Sequence, residues 1–558
     1  MGEAHCRIPR RLRRRFRTPL ARACGVSMLQ GSMGEGDVFR MPLRYALCAF
    51  LAFSLAAAAP SADGPVVATR SGRIQGLDQG AVHAFLGIPF AAPPVGENRW
   101  RSPQPIRAWS GIRSAEAFGA SCWQAVSPEG FGPWSREYVV QGNVSEDCLT
   151  LNVWRPAAAV QGRRPVLVFI HGGGFNSGAG SIPIYEGRAL ASRGILVVTV
   201  NYRVNVFGFL AHPDLTREAG RSVPTNFGLQ DIIASLRWVQ DNIARFGGDP
   251  DRVTIAGQSA GSSAVHDLIA APAARGLFHR AIAQSGFPGR RPLPTLAEAE
   301  KDGLAFAADK RAPTLAALRA LPPEALQASR GGNVIRFAPV IDGRLLPLSP
   351  DVALRTKRAT VVPVLAGFTA DEDSALARDY GSADAAVLEQ LIRETAGEAA
   401  PVATSLYPAA TEAERARSNV QLHRDRWAAL LYRWAADRAR SGKASTFGYL
   451  FSRVAPGPQS ARWGAFHSSE IPYVFGTLDA APERGFTAAD RAFSDRVSAY
   501  WVNFVTSGDP NGPGLPAWPV LRLEDPHILR LGDPLAPDRL LSPEKLNWVR
   551  ASIAPQTK

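Results

Sequence analysis

The sequence predicts an α/β fold: a large, mixed but mostly parallel sheet flanked by helices, with helical cap insertions. Three observations carry this expectation. Continuous apolar runs of strand length recur, as in Pro165-Val166-Leu167-Val168-Phe169-Ile170 and Ile195-Leu196-Val197-Val198-Thr199-Val200. Such runs suit strands buried on both faces of a parallel sheet. A helical period follows them, with Leu229, Ile232, Ile233, Leu236, Val239, Ile243 and Phe246 at spacings of three and four. A third short run, residues 253–256, then enters Gly257-Gln258-Ser259-Ala260-Gly261 and a helix-compatible stretch. Strand, loop, strand, helix, strand, turn, helix is the order of a doubly wound α/β domain.

The N-terminus precedes that pattern and differs from it. Residues 1–58 hold ten arginines against three acids, a net +7 out of the +14 carried by all 558 residues. The remaining excess is spread thinly, with no basic run interleaved with aromatics, so no nucleic-acid partner is expected. Arg44, an apolar run over residues 45–55 and four alanines after it read as a secretory signal peptide. The apolar run is too short for a stable membrane anchor. Residues 1–58 are therefore expected to be leader and signal peptide, with Met41 as an alternative start that would leave residues 1–40 outside the protein. Residues 59–558 are expected to be one domain, secreted or periplasmic. Only Cys122 and Cys148 remain beyond the leader. In an exported chain they are expected to pair, and closing a loop of that size contributes roughly 3 kcal/mol.

Along the chain, residues 66–70 before Ser71-Gly72 suggest an antiparallel starter strand. Residues 85–96 are proline-rich and read as an ordered loop. The loop between Cys122 and Cys148 carries Trp123 and Trp134, either as walls of a substrate pocket or as surface packing. After the Ser259 turn, residues 281–283 and 361–366 read as further strands, and residues 447–451 and 528–531 as strands that close the sheet. The alanine-rich stretches 296–321 and 385–439 are longer than a crossover needs and are expected to form the cap.

Gly-x-Ser-x-Gly between a strand and a helix is the context of a nucleophile elbow, which lifts a serine oxygen clear of the sheet. An activated serine needs a base, an orienting acid and an oxyanion site. His423, His467 and His527 follow it in the chain. His423 sits in an arginine-rich helical stretch and reads as a surface residue, and His527 lies near the last strand. His467, in a loop of small residues before an apolar segment, fits a base best of the three. Asp371, Glu372 and Asp373 follow a predicted strand, and position alone does not choose among them. His171-Gly172-Gly173-Gly174 offers backbone N–H groups unobstructed by side chains, as an oxyanion requires. No metal-ligand spacing and no phosphate-binding loop with Lys-Ser/Thr is present, so no metal and no organic cofactor is expected.

These residues, with Gly87-Ile88-Pro89-Phe90-Ala91, Ser145-Glu146-Asp147-Cys148-Leu149, Asn201-Tyr202-Arg203, Phe246-Gly247-Gly248-Asp249-Pro250 and Ser507-Gly508-Asp509-Pro510-Asn511-Gly512, resemble the type-B carboxylesterase family of α/β-hydrolases, whose relatives include the cholinesterases. The matched blocks run in order from about residue 64 to 520. The resemblance implies an α/β-hydrolase fold, Ser259 as nucleophile, His467 as base and Glu372 as acid. It implies an oxyanion hole from the N–H groups of Gly173, Gly174 and Ala260, and Ser285 as a hydroxyl near the acid. Cys122 and Cys148 resemble the family's first disulfide. Ser468 departs from the pattern where glycine commonly follows the histidine, and Asn205 and Ile232 replace a common glycine and glutamine. Trp134 lies in the loop that carries the choline-binding tryptophan of cholinesterases but at a different spacing, so a choline substrate is not implied. The expectation is a secreted serine carboxylesterase acting on small-molecule esters through an acyl-enzyme. The alternatives are a lipase for longer-chain esters and a catalytically silent binding homologue, the latter opposed by the complete triad.

Overall fold

The apolar run 165–170 does become a buried strand, Arg164–Ile170, and its side chains divide between two cores. Val166, Val168 and Ile170 enter one hydrophobic cluster, Leu167 and Phe169 the other. Alternation of side chains along a strand sends successive residues to opposite faces, so a run apolar at every position needs cover on both. The computed structural model describes residues 64–159, 161–290, 292–327, 335–397 and 400–553. The leader and signal peptide expected over residues 1–58 lie outside the described residues.

Among the described residues, eleven strands make the main sheet. At its centre Gly248–Gln258 pairs in parallel with Arg164–Ile170 on one side and Arg280–Gln284 on the other. Leu196–Val200 extends the parallel part beyond Arg164–Ile170, and Val364–Thr369, Thr446–Phe451 and His527–Leu531 extend it the other way. Antiparallel strands finish both edges: Thr150–Pro156, Val82–Pro89 and Leu77–Asp78 on one, Ala536–Arg539 on the other. The result is the large, mostly parallel mixed sheet expected of an α/β-hydrolase, with helices on both faces.

Two details differ from expectation. Residues 85–89 belong to the strand Val82–Pro89 rather than to a loop. Proline is tolerated there because Pro89 is the last paired residue, opposite Thr150, and the register slips between Phe85 and Ile88, where Gly87 donates its N–H to Asn152 Oδ1 at 2.9 Å. The strand expected from residue 361 begins at Val364, just past Pro363, which has no N–H to contribute. The starter strand forms as Val66–Ala68, antiparallel to Arg73–Gln75, in a separate three-stranded sheet completed by Ile112–Ser114.

The alanine-rich stretches are helical. Leu296–Asp309 and Glu412–Ser441 each open on a capping box, Thr295 with Glu298 and Thr411 with Glu414, which satisfies exposed N–H groups of the first turn. Cys122 and Cys148 are disulfide-bonded. No helix among the described residues is long and apolar enough to cross a membrane.

Candidate active site

The strand Gly248–Gln258 ends at the carboxyl edge of the sheet, and Ser259 follows it with φ 59° and ψ −121°. A serine at that φ is held in backbone space that side chains seldom occupy. The Ser259 N–H is fixed by Gln284 O at 2.8 Å, and its carbonyl accepts from Ser263 at 3.0 Å as the helix Ala260–Ala270 starts. The turn closes only with glycine at its flanks: a Cβ on Gly257 would lie 2.3 Å from Gly261 O, and one on Gly261 would lie 2.1 Å from Ile170 O. The serine itself is half-buried, and its hydroxyl makes no hydrogen bond among the described residues.

Gly172, Gly173 and Gly174 follow the strand Arg164–Ile170 and stand beside the elbow, because a Cβ on Gly172 would come within 3.1 Å of Ser259 Cβ. The carbonyl of Gly173 is used by the N–H groups of Asn176 and Ser177, at 3.0 and 3.1 Å. The N–H groups of Gly173, Gly174 and Ala260 donate to no other group among the described residues, and Ala260 opens a helix whose dipole places positive charge at that end. His171, before them, is buried and stacked on Tyr202 at 4.2 Å. Burial pushes its imidazole down to about 4, so it stays neutral and shapes the turn.

Glu372 and His467 come from the loops after Val364–Thr369 and Thr446–Phe451. Their side chains meet in a hydrogen bond between His467 Nδ1 and Glu372 Oε2, at 5% and 2% residue exposure. Glu372 Oε1 accepts the Thr369 N–H at 2.8 Å. His467 Nε2 lies 3.2 Å from the side-chain amide nitrogen of Gln258, the residue before Ser259. The three carboxylates that position could not tell apart do three different jobs. Asp371 ties the acid loop to the histidine loop: its Oδ2 accepts the Ala465 N–H at 2.8 Å and its N–H donates to Ala465 O at 3.0 Å. Asp373 turns the other way and accepts from His423 Nδ1 at 2.8 Å, with Arg290 and Trp427 beside it. His423 is therefore a buried residue, 3% exposed, and not the surface histidine that its arginine-rich stretch suggests. The helix Glu412–Ser441 buries the face carrying His423 and Trp427 against the acid loop. His527 stays at the sheet's far edge, paired with Asp525.

Ser285 follows the strand Arg280–Gln284, with φ 57° and its N–H on Gly367 O at 2.8 Å, in the strand that leads to Glu372. Its hydroxyl is buried without a hydrogen-bond partner. Trp134 resolves toward the site: its indole N–H donates to His467 O at 3.1 Å, and the rings meet edge to face at 6.5 Å. The disulfide loop is clamped in that position by Arg484, which reaches Glu137, Pro133 O and Ser135 and lies over the rings of Tyr138 and Phe466. Trp123 stays beside the disulfide, its carbonyl accepting from Asn205 at 2.8 Å.

Sequence reasoning missed Glu470. It is fully buried, with Oε1 accepting from Gln284 at 3.1 Å and Tyr449 at 3.4 Å and Oε2 unpartnered. Burial, reinforced by the charge of Glu372, pushes its carboxyl up to about 7. A carboxyl that binds its proton more tightly folded than unfolded favours the folded chain at low pH. That advantage fades as pH rises from its ordinary value of 4.5 through about 7. Glu470→Gln keeps the shape without ionising. It is expected to flatten the dependence of Tm on pH between about pH 5 and pH 7.5 relative to the unaltered protein. Equal slopes in the two proteins would contradict this.

Comparison with known proteins places this chain among esterases. A model described as the carboxylesterase family matches residues 63–548. The chain is 37% identical over 463 residues to the fumonisin B1 esterase of Sphingopyxis macrogoltabida, across 81% of this chain and 83% of that protein. It is 34% identical over 492 residues to the para-nitrobenzyl esterase of Bacillus subtilis strain 168, across 84% and 94%. Against carboxylesterase 3 of Homo sapiens it is 34% identical over 522 residues, across 85% and 88%. A solved structure titled PNB esterase superimposes with a TM-score of 0.73 at 31% identity, covering 87% of this chain and 99% of that one.

Proposed function

The chain belongs to the carboxylesterase family and is a carboxylic ester hydrolase; from that premise we propose that it acts through a Ser259–His467–Glu372 triad and an acyl-enzyme, outside the cytoplasm. The observation that carries the reading is the buried Glu372–His467 pair, whose other ring nitrogen lies 3.2 Å from the side-chain amide of Gln258, the residue before Ser259. With Nδ1–H donating to Glu372, the lone pair of Nε2 is available as a base. In the resting site the Gln258 amide occupies that lone pair. With substrate bound, the Ser259 hydroxyl rotates into its place.

The Ser259 oxygen attacks the ester carbonyl while its proton passes to His467 Nε2. The carbonyl oxygen becomes an anion held by the N–H groups of Gly173, Gly174 and Ala260, each worth about 3 kcal/mol in the transition state. Glu372 stabilises the imidazolium, which then gives its proton to the departing alcohol. Water repeats the sequence on the acyl-enzyme: His467 takes its proton, the acid leaves, and Ser259 regains its hydrogen. Ser285 is the small hydroxyl behind the acid in this reading. The disulfide supports an oxidising location, since such bonds persist outside the reducing cytosol. Small esters are the substrates.

An acyl-enzyme makes a kinetic prediction. Rapid mixing with a 4-nitrophenyl ester is expected to release close to one nitrophenol per chain in a burst before the steady rate, wherever deacylation is the slower step. Hydrolysis in oxygen-18 water must also leave the label in the acid and none in the alcohol. Label in the alcohol would contradict acyl transfer to the serine.

A further inference from the structure

The geometry points to Arg336 as a specificity-determining residue that selects esters bearing a second, anionic carboxylate close to the scissile carbonyl. The inference rests on Gly174 being an oxyanion donor. A side chain on Gly174 would begin only 3.8 Å from Arg336 Nη2, so the guanidinium stands beside the glycine turn that holds the carbonyl oxygen. The local chain is built to keep it there. Phe337 is buried and packs edge to face on Phe306 at 5.3 Å, and Ile335 packs partly buried on the same core. Between them Arg336 is exposed, as alternation in an extended segment requires. Just downstream, Val340 N–H is held by Asn226 Oδ1 and Ile341 N–H by Pro294 O, each at 2.9 Å. The backbone is thus anchored while the guanidinium faces the Gly174 side.

A guanidinium is always charged and presents paired N–H donors that match a carboxylate. A substrate whose ester oxygen rests on the Gly174 N–H would bring a carboxylate roughly two to four bonds away within its reach. Monoesters of short dicarboxylic acids meet that geometry from the acyl side, and esters of hydroxy acids meet it from the alcohol side.

The test measures kcat/KM for three esters: 4-nitrophenyl butyrate, the 4-nitrophenyl monoester of glutaric acid, and 4-carboxyphenyl butyrate. The unaltered enzyme is compared with Arg336→Gln, Arg336→Lys and Arg336→Glu, each checked for an unchanged melting transition. The expected result is a preference for at least one anionic ester over the neutral one. That preference falls about tenfold or more in Arg336→Gln through KM, survives in part in Arg336→Lys, and drops lowest in Arg336→Glu. It also weakens as ionic strength rises from about 0.01 to 1 M. A response confined to one anionic ester assigns the carboxylate to the acyl or the alcohol side. Ratios that agree within about twofold across all four proteins, for both anionic esters, overturn the assignment while leaving ester hydrolysis intact. Failure of every protein to hydrolyse any of the three esters would instead contradict the mechanism on which it rests.

Discussion

Ser259→Ala is expected to lower kcat/KM for a chromogenic short-chain ester by about 100,000-fold or more, with no loss of fold. The chemical reason is that the hydroxyl is the atom that forms the new bond, and no neighbouring side chain offers a second nucleophile on the same turn. The structural reason is that its removal disturbs little. The Ser259 hydroxyl makes no hydrogen bond among the described residues, while the turn itself is held by backbone bonds to Gln284 and Ser263 and by the glycines at 257 and 261. Far-ultraviolet circular dichroism and Tm should therefore match the unaltered protein. Turnover within about a hundredfold of normal in a folded Ser259→Ala protein would remove serine catalysis from the account.

Glu372→Gln is the second large effect, expected to cost about 10,000-fold in kcat. The carboxylate does two things that an amide of the same shape does not. It accepts the Nδ1–H of His467, which leaves Nε2 as the base, and it opposes the charge that forms on the imidazole. A glutamine amide donating to Nδ1 would place the proton on Nε2 and block the serine. The neighbours sharpen the test. Asp373 binds His423, Arg290 and Trp427 on the side away from His467. Asp373→Asn is expected to lower stability by about 1–3 kcal/mol through a weakened buried charge contact, with kcat reduced less than about tenfold. If Asp373→Asn rather than Glu372→Gln abolished kcat, the acid would be misassigned.

The sequence made the parallel sheet legible because its central strands are apolar at every position, a pattern that only cover on both faces explains. The elbow was legible because its glycines are required by backbone contacts near 2 Å, not by preference. The strand Val82–Pro89 was hidden by a proline whose position at a strand end shows only once the partner strand is known. The acid loop shows the limit at the site. Three adjacent carboxylates look alike in sequence, and their roles are set by what surrounds them: a backbone N–H for Asp371, an imidazole for Glu372, and a cap-helix histidine for Asp373. His423 read as a surface residue because arginines flank it, yet a 30-residue helix turns its own face inward at that point. Trp134 was left open between pocket wall and surface packing, and Arg336 was silent, for the same reason. Their partners, His467 and Gly174, lie 333 and 162 residues away along the chain.

The central claim is that Ser259 carries the acyl group. Incubation with a fluorophosphonate ester, followed by proteolysis and mass spectrometry, tests it most directly. One phosphonyl adduct per chain is expected on Ser259, in step with loss of activity, and none in the Ser259→Ala protein. An adduct on another residue, or full activity with Ser259 modified, would contradict the account.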